Sequence, residues 1–359
     1  MKKELKQAIN QRDFDSVVLY RLPHKTDKHI LLGNSEKIYN GINVHHCMDD
    51  GFVFEPFDNL KSHGLFIDSS YSTSYNELDK PDKELLSDLF IVNGDEATSN
   101  EDNFDSYQQN FEKMHRAIVE GELNKVILSR IQSGPAIHKE QIIDLFELLA
   151  KKYQHAFVYV VSSPASGTWI GAGPELLLRK QKDKLSTVSL AGTIPNKPGA
   201  RWTAKEIDEQ QLVTNYIEET LIQHQAVNIE YSEPASINAG QVKHLCTTFN
   251  FELKQTNGNQ IGLLYELHPT PAICGMPKEK AYQLILDTEK HNRRFYSGFL
   301  GPVTGGNFEF YVNIRCLQVY PSKTVLYLGG GLTKGSHAES EWQETQLKAQ
   351  TLLSVLKNI

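Results

Sequence analysis

The sequence predicts an α+β protein in which large antiparallel sheets pack against helices. Four apolar runs between residues 156 and 193 carry most of this reading: "AFVYVVSS", "TWIGAG", "ELLLRK" and "LSTVSLAGT". They follow one another with turn signals only a few residues apart, which favours antiparallel pairing over a Rossmann-type alternation of strand and helix. Helical patterns stand before and after the block instead of between its strands. The composition agrees: 359 residues, 40% hydrophobic and 23% charged, are ordinary for a globular protein with a sizeable core.

In chain order, "MKKELKQAINQRDFDS" reads as polar and helical, without the apolar core of a signal peptide. The first hundred residues read as irregular, with short apolar runs such as "SVVLY" and "HILLG" among aromatic and acidic loops. The segment "IVNGDEATSNEDNFDS", ending at Ser106, is the best internal boundary. It separates an N-terminal portion, 1–104, from a region spanning 105–359. Phe111, Met114 and Ile118 recur at helical spacing within 107–120, and a strand, "KVILSRIQ", follows. A helix, "EQIIDLFELLAKKY", leads into the four strands, and a long helix covers about 203 to 225. Further strands are expected near 309–320 and 324–330, with a closing helix near 338–357.

Several function classes are disfavoured. The net charge is -7 with no block of lysines or arginines, which argues against nucleic-acid or anionic-membrane binding. Cys47, Cys246, Cys274 and Cys316 stand apart with no CxxC pair, so the expectation is free thiols in a reducing cytoplasm and no paired-cysteine zinc site. No stretch approaches 18 apolar residues, so no membrane span is expected.

Chemistry concentrates in a few places. In "GAGPELLLRK" the acid Glu175 follows a tight bend and opens an apolar run. Either it caps the strand or pairs with Arg179, or it is held where water is scarce. In "TAKEIDEQQLVTNYIEETL" Glu209 lies in line with the apolar stripe of Leu212, Val213, Tyr216, Ile217 and Leu221. In the last helix Glu341, Glu344 and Lys348 occupy the stripe that continues into Leu352, Val355 and Ile359. A Glu344–Lys348 pair could be only a surface ion pair, worth ~0.3–0.5 kcal/mol. Two helices with inward acids would equally suit a hard cation, Mg²⁺ above all.

"LGGGLTKGS" could bring backbone N–H groups to an anion, but it is no Walker loop, and "GAGPEL" completes no dinucleotide fingerprint. Arg315, in "FYVNIRCLQV", shares a strand face with Asn313 and Leu317 and could grip a carboxylate or form an ordinary ion pair. Lys125 opens "KVILSR", where desolvation could make it a neutral base. His45-His46 lacks partner ligands and reads as structural.

Taken in order, "LNKVILSR", "GAGPELLLRK", "LAGT", "KEIDEQQLV", "KHLCTTF", "LHPTPAICGMP", "RRFYSGFLG", "IRCLQV" and "GGGLTKGSHAESEWQET" resemble the chorismate-utilising enzymes, and most nearly the isochorismate synthases. The resemblance covers roughly residues 105 to 355. It implies a sandwich of antiparallel sheets flanked by helices, with the active site in a cleft between its halves. It implies that Lys125 is the base activating water for attack at C2 of chorismate, and that Glu175 is the acid protonating the departing C4 hydroxyl. Glu209 and Glu344 match Mg²⁺ ligands, with Glu341 acting through water. Arg315 and Tyr296 look like the grip on the enolpyruvyl carboxylate. Gly330 and Gly331 would offer amides, and Lys348 a charge, to the carboxylates. His244 would lie near the ring, and His268 would be structural.

Ala191 stands where aminodeoxychorismate-forming relatives usually carry lysine, and Ala272 in "HPTPA" resembles the isochorismate type. "EQQLV" departs from the Glu-His of many relatives but keeps the metal-matching acid. The resemblance further implies a cytoplasmic monomer with no glutamine amidotransferase subunit. Its product could feed menaquinone or siderophore synthesis. The alternatives are a salicylate synthase that releases pyruvate, and a chorismate-binding module without turnover.

Overall fold

The central strands are buried along their whole length instead of alternating in and out, because both faces of the sheet are covered there. Every residue of Phe157–Ser163 and of Gly167–Gly173 is buried. A continuous apolar run is the pattern such doubly covered strands require. The structure, a computed structural model, describes residues 2–11, 14–43, 45–59, 62–92, 101–240, 242–254 and 259–359. Residues 93–100 of the expected boundary segment lie outside the described residues.

The N-terminal portion begins with helix α1 (Lys2–Gln11) and then forms β1 (Ser16–Arg21), β2 (Lys28–Gly33), β3 (Ser35–Ile38), β4 (Gly51–Glu55), β5 (Gly64–Asp68) and β6 (Tyr71–Tyr75). Helices α2 (Lys80–Ser87) and α3 (Phe104–Val119) follow, capped by the side chains of Asp79 and Asn103. Next come β7 (Lys125–Gly134), α4 (Lys139–Lys152), β8 (Phe157–Ser163), β9 (Gly167–Gly173), β10 (Leu176–Gln181) and β11 (Lys184–Pro195). Helix α5 (Ala204–Gln223) precedes β12 (Ala226–Tyr231), β13 (Ala235–Ala239) and β14 (Val242–Leu253). The chain closes with α6 (Asn259–Leu267), β15 (Gly275–Met276), α7 (Lys278–Thr288), β16 (Phe299–Thr304), β17 (Asn307–Val312), β18 (Cys316–Val319), β19 (Thr324–Leu332) and α8 (Ala338–Leu356).

Two antiparallel sheets result. The first runs β15-β7-β19-β18-β9-β8-β1-β2-β6 and the second β12-β14-β11-β10-β17-β16-β4-β5-β3, with β13 also on β14. Between them lies an aromatic core that includes Phe52, Phe54, Phe157, Tyr159, Trp169 and Tyr311. Helices α4 and α8 cover the outer face of the first sheet, and α5 and α6 that of the second. Arg21, buried in β1, donates to the carbonyls of Ala150, Tyr153 and Gln154 and so satisfies the C-terminus of α4. No helix of the described residues is long and apolar enough to cross a membrane.

The structure differs from expectation in four places. The first hundred residues are not irregular: β1–β6 pair into both sheets. Their signal is weak because edge strands such as β3 and β6 are half exposed and polar. Residues 226–253, left unassigned, form three strands, of which β12 is an exposed edge and β14 interleaves polar residues. The expected strand 309–320 is two, broken at residues 313–315, where the chain leaves the second sheet for the first. Glu175 precedes β10, which begins at Leu176.

Candidate active site

The cavity forms where two of the crossings between the sheets meet. One crossing joins β9 to β10 and carries Glu175, and the other joins β17 to β18 and carries Arg315. They are tied together: the Ala172 N–H donates to the Arg315 carbonyl at 3.1 Å, and the Val312 N–H to that of Glu175 at 2.9 Å. Gly173 suits this closeness, since a Cβ there would crowd the Val312 carbonyl at 3.1 Å. Arg315 does not share a strand face with Leu317, as its sequence suggests. It sits at φ 54°, a left-handed kink that turns its side chain into the cavity while Leu317 enters the core behind the sheet.

Lys125, Ile127, Glu175, Ala191, Glu209, His244, Ala272, Tyr296, Arg315, Gly329, Gly330, Gly331, Glu344 and Lys348 all line this one cavity. Lys125 is 1% exposed and its Nζ lies 2.6 Å from Glu209 Oε1. Lys348 Nζ pairs with Glu344 at 2.7 Å and also donates to the Gly329 carbonyl at 2.9 Å. Glu341 is buried beside them and pairs with Lys205 at 3.0 Å. Three lysines thus hold three carboxylates. About 70 Å³ of free space lies among these side chains.

The electrostatics separate the acids. Burial pushes the Glu175 carboxyl up to about 7, against a hydrogen bond from Thr270 Oγ1 at 3.3 Å and the charges of Lys125 and Lys348. It does not pair with Arg179, which reaches Ser186 Oγ instead. Burial also acts to raise Glu209, but the charge and hydrogen bond of Lys125 outweigh it and hold the carboxyl below its usual range. Glu341 is raised by burial and by the charge of Glu344, with Lys205 opposing. Glu341 and Glu344 stand in the first two turns of α8, where the helix dipole favours anions.

The glycine strand is where sequence reasoning errs. Residues 329–332 of β19 outrun β18 and pair only with β7, which leaves one edge facing the cavity. On β7 the Ile127 and Ser129 amides point away from β19, to the Cys274 carbonyl and Glu289 Oε1. The ladder therefore bonds Gly330 to Leu128, and the Gly330 amide is turned from the cavity. Gly331 keeps its expected place on the open edge, and Gly329 takes the place expected of Gly330. A Cβ on Gly331 would crowd the ion pair, standing 3.0 Å from both Glu209 Oε1 and Lys125 Cε.

Among the histidines, His244 lines the cavity, whereas His268 is buried against Phe299 with its Nε2 3.0 Å from the Ser297 carbonyl. Sequence reasoning missed Gln210, Lys205, Thr270 and Tyr327. Lys205 could have been found from its spacing of four before Glu209, and Thr270 from its place inside "HPTPA". Nothing in the sequence singles out Gln210 or Tyr327.

A family model described as "Chorismate binding enzyme" matches residues 75–357. The isochorismate synthase EntC of Escherichia coli K12 is 33% identical over 248 residues, covering 65% of this chain and 62% of that protein. The vibriobactin-specific isochorismate synthase of Vibrio cholerae is 29% identical over 261 residues, covering 70% of this chain and 66% of that protein. The matches therefore span less than two thirds of the length of these relatives. The fold resembles the solved menaquinone-specific isochorismate synthase MenF of Escherichia coli, with a TM-score of 0.75 at 21% identity over 96% of this chain and 90% of that one. At that identity the likeness shows the fold.

Proposed function

Because the chain belongs to the chorismate-binding enzyme family, we propose that it is an isochorismate synthase, converting chorismate reversibly to isochorismate. Water attacks C2 of the ring, the double bonds shift, and the C4 hydroxyl leaves as water. The observation that carries this reading is the pairing of Lys125 and Glu175 in one cavity, with Glu175 held at about 7. An ordinary carboxylate has lost its proton at neutral pH, but burial favours the protonated form of this one, which can give its proton to a leaving hydroxyl. In its neutral form Lys125 takes the proton of the attacking water, so on leaving Glu209 its ammonium must first release a proton to solvent. Ala191 supports water as the nucleophile, since it offers no amine to form an adduct with the ring.

Glu209, Glu344 and Glu341 are hard oxygen donors of the kind Mg²⁺ takes, and Glu344 acts to raise Glu341. Among the described residues no three such groups stand close enough together to hold an ion, each of these acids being paired with its own lysine. Glu209 and Glu344 would bind the ion directly and Glu341 through water. When bound, it supplies positive charge to the ring carboxylate. Arg315 and Tyr296 hold the enolpyruvyl carboxylate, and Lys348 and the Gly331 amide add charge and a donor. In this reading residues 1–104 complete the sandwich and 105–359 carry the chemistry. We take the enzyme to be a cytoplasmic monomer acting without an amidotransferase.

The test is to incubate the purified protein with chorismate and Mg²⁺ and resolve the products by chromatography. Two hydroxylated dienes approaching a stable ratio, unaffected by glutamine or ammonium, are expected. Salicylate with stoichiometric pyruvate, or an amino product with ammonium, would overturn the proposal.

A further inference from the structure

His244 has no chemical step in the reaction above, although it is buried in the cavity wall with both ring nitrogens engaged. An arginine side chain only donates hydrogen bonds. The 2.8 Å contact between Arg315 Nη2 and His244 Nε2 therefore needs a lone pair on Nε2. On the other side Nδ1 lies 3.0 Å from the Gly192 carbonyl oxygen, which only accepts, and 3.3 Å from Thr193 Oγ1. Nδ1 must carry the proton. The ring is the neutral Nδ1–H tautomer, fixed from both ends.

The Gly192 carbonyl is itself held in place. β11 slips register between Ala191 and Ile194, and Gly192 takes a φ of 66° within the slip. Gln210, buried on α5, clasps this bulge: its Oε1 accepts the Ala191 N–H at 2.8 Å, and its Nε2 donates to Ser189 Oγ at 2.8 Å and to the Ser189 carbonyl at 3.2 Å. At the far end Arg315 Nη1 donates to Thr351 Oγ1 at 2.9 Å. Both of these acceptors of Arg315, an imidazole and a hydroxyl, are uncharged. They orient the guanidinium without cancelling its charge, as a carboxylate in either place would.

We infer that His244 is a positioning residue, held as the Nδ1–H tautomer by the bulge that Gln210 clasps, and that it aims Arg315 at a ligand carboxylate. The role of Arg315 rests on the reading under Proposed function. The tautomer does not. Burial and the positive charges of Arg315 and Lys348, the charged groups that bear on the ring, all act against a second proton and hold it near 3.

Long-range ¹⁵N–¹H spectra of the full chain with labelled histidine test the first half. His244 is assigned among the 13 histidines by its loss in His244→Gln. One protonated Nδ1 and one pyridine-type Nε2, unchanged from pH 6 to 8, are expected. An Nε2–H ring, or a ring that gains a second proton in that range, overturns the inference. Gln210→Leu should mix the tautomers and raise KM for chorismate about tenfold while kcat falls less. A pure tautomer with unchanged KM removes Gln210 from the chain. His244→Gln, which keeps an acceptor, should hold KM within about threefold of the native value, and His244→Leu should raise it about tenfold. Equal KM values for the two variants, at equal melting temperature, overturn the positioning role. If the native protein leaves chorismate untouched, the proposed activity fails while the spectra still decide the tautomer.

Discussion

Glu55 and Glu175 are buried alike, at 1% and 3% exposed, and burial pushes both carboxyls up to about 7. Their surroundings differ. Glu55, at the end of β4, lies over Gly64 and accepts from the Tyr265 hydroxyl at 3.3 Å, which in turn accepts the Ile42 amide. The groups that bear on it, the Tyr265 hydroxyl and the Ile42 amide, are neutral, and it does not line the cavity that holds Lys125. Glu175 lies at a sheet crossing, opposite Lys125 and within the field of Lys348. A displaced pKa alone does not mark a catalytic acid. A displaced pKa facing a base across a cavity does.

The largest test of this contrast is turnover. Glu175→Gln and Lys125→Ala should each lose ~10²-fold or more in kcat, the scale of general acid–base catalysis, with the fold intact by circular dichroism. Glu55→Gln should stay within about threefold of the native rate, because it touches no reacting atom. A large loss from Glu55→Gln would erase the distinction. The native rate should also fall above about pH 7 as Glu175 gives up its proton, and no such limb should remain in the residual activity of Glu175→Gln.

The acids proposed to hold Mg²⁺ come next. Glu209→Ala and Glu344→Ala each remove a charged oxygen donor, so Mg²⁺ titrations should show a requirement raised about tenfold or more. EDTA should stop the native enzyme and added Mg²⁺ restore it. Full turnover in thoroughly chelated buffer would contradict that role for the acids.

The smallest effect isolates Glu55 through stability. A carboxyl raised from 4.5 to about 7 on folding contributes most below the unfolded value, and the contribution is lost as pH rises through the folded one. The native protein should thus weaken between about pH 4.5 and 7 relative to Glu55→Gln. The gap, at most ~3 kcal/mol, should be fully open above pH 7 and closed near pH 4. Denaturant melts at the two pH values measure it, and parallel curves would show that Glu55 does not carry this burden.

Much of the site is legible in the sequence because it rests on local patterns. Gly-Ala-Gly-Pro before Glu175 signals a bend, and the inward stripes of Glu209, Glu344 and Lys348 follow from helical spacing alone. What escapes depends on register or on distant partners. "NFEFYVNIRCLQV" reads as one strand because the kink is made by Arg315, a residue seldom found at positive φ. Gly329 and Gly331 could be told from Gly330 only by knowing which β7 amides face β19. Gln210 looks like any polar residue on a helix, and its task is set by a bulge on another element. Two of the N-terminal strands escaped for a related reason: β1 and β4 join the rest of the sheets through partners more than a hundred residues away, β8 and β16.

The strand order β7-β19-β18-β9 has a consequence for how the molecule is made. β7 and β9 are near neighbours in the chain, yet two strands from its last fifty residues stand between them. During synthesis the first sheet has to wait with an open seam until residue 332 has left the ribosome, and pairings of such long sequence separation form slowly. In that interval the flanks of β7 and β9 are bare strand edges, the kind that recruit other chains. A nascent chain stalled before β18 should accordingly be a client of chaperones and prone to aggregate, and Lys125 and Glu175 acquire their common cavity only when the C-terminal strands slide home.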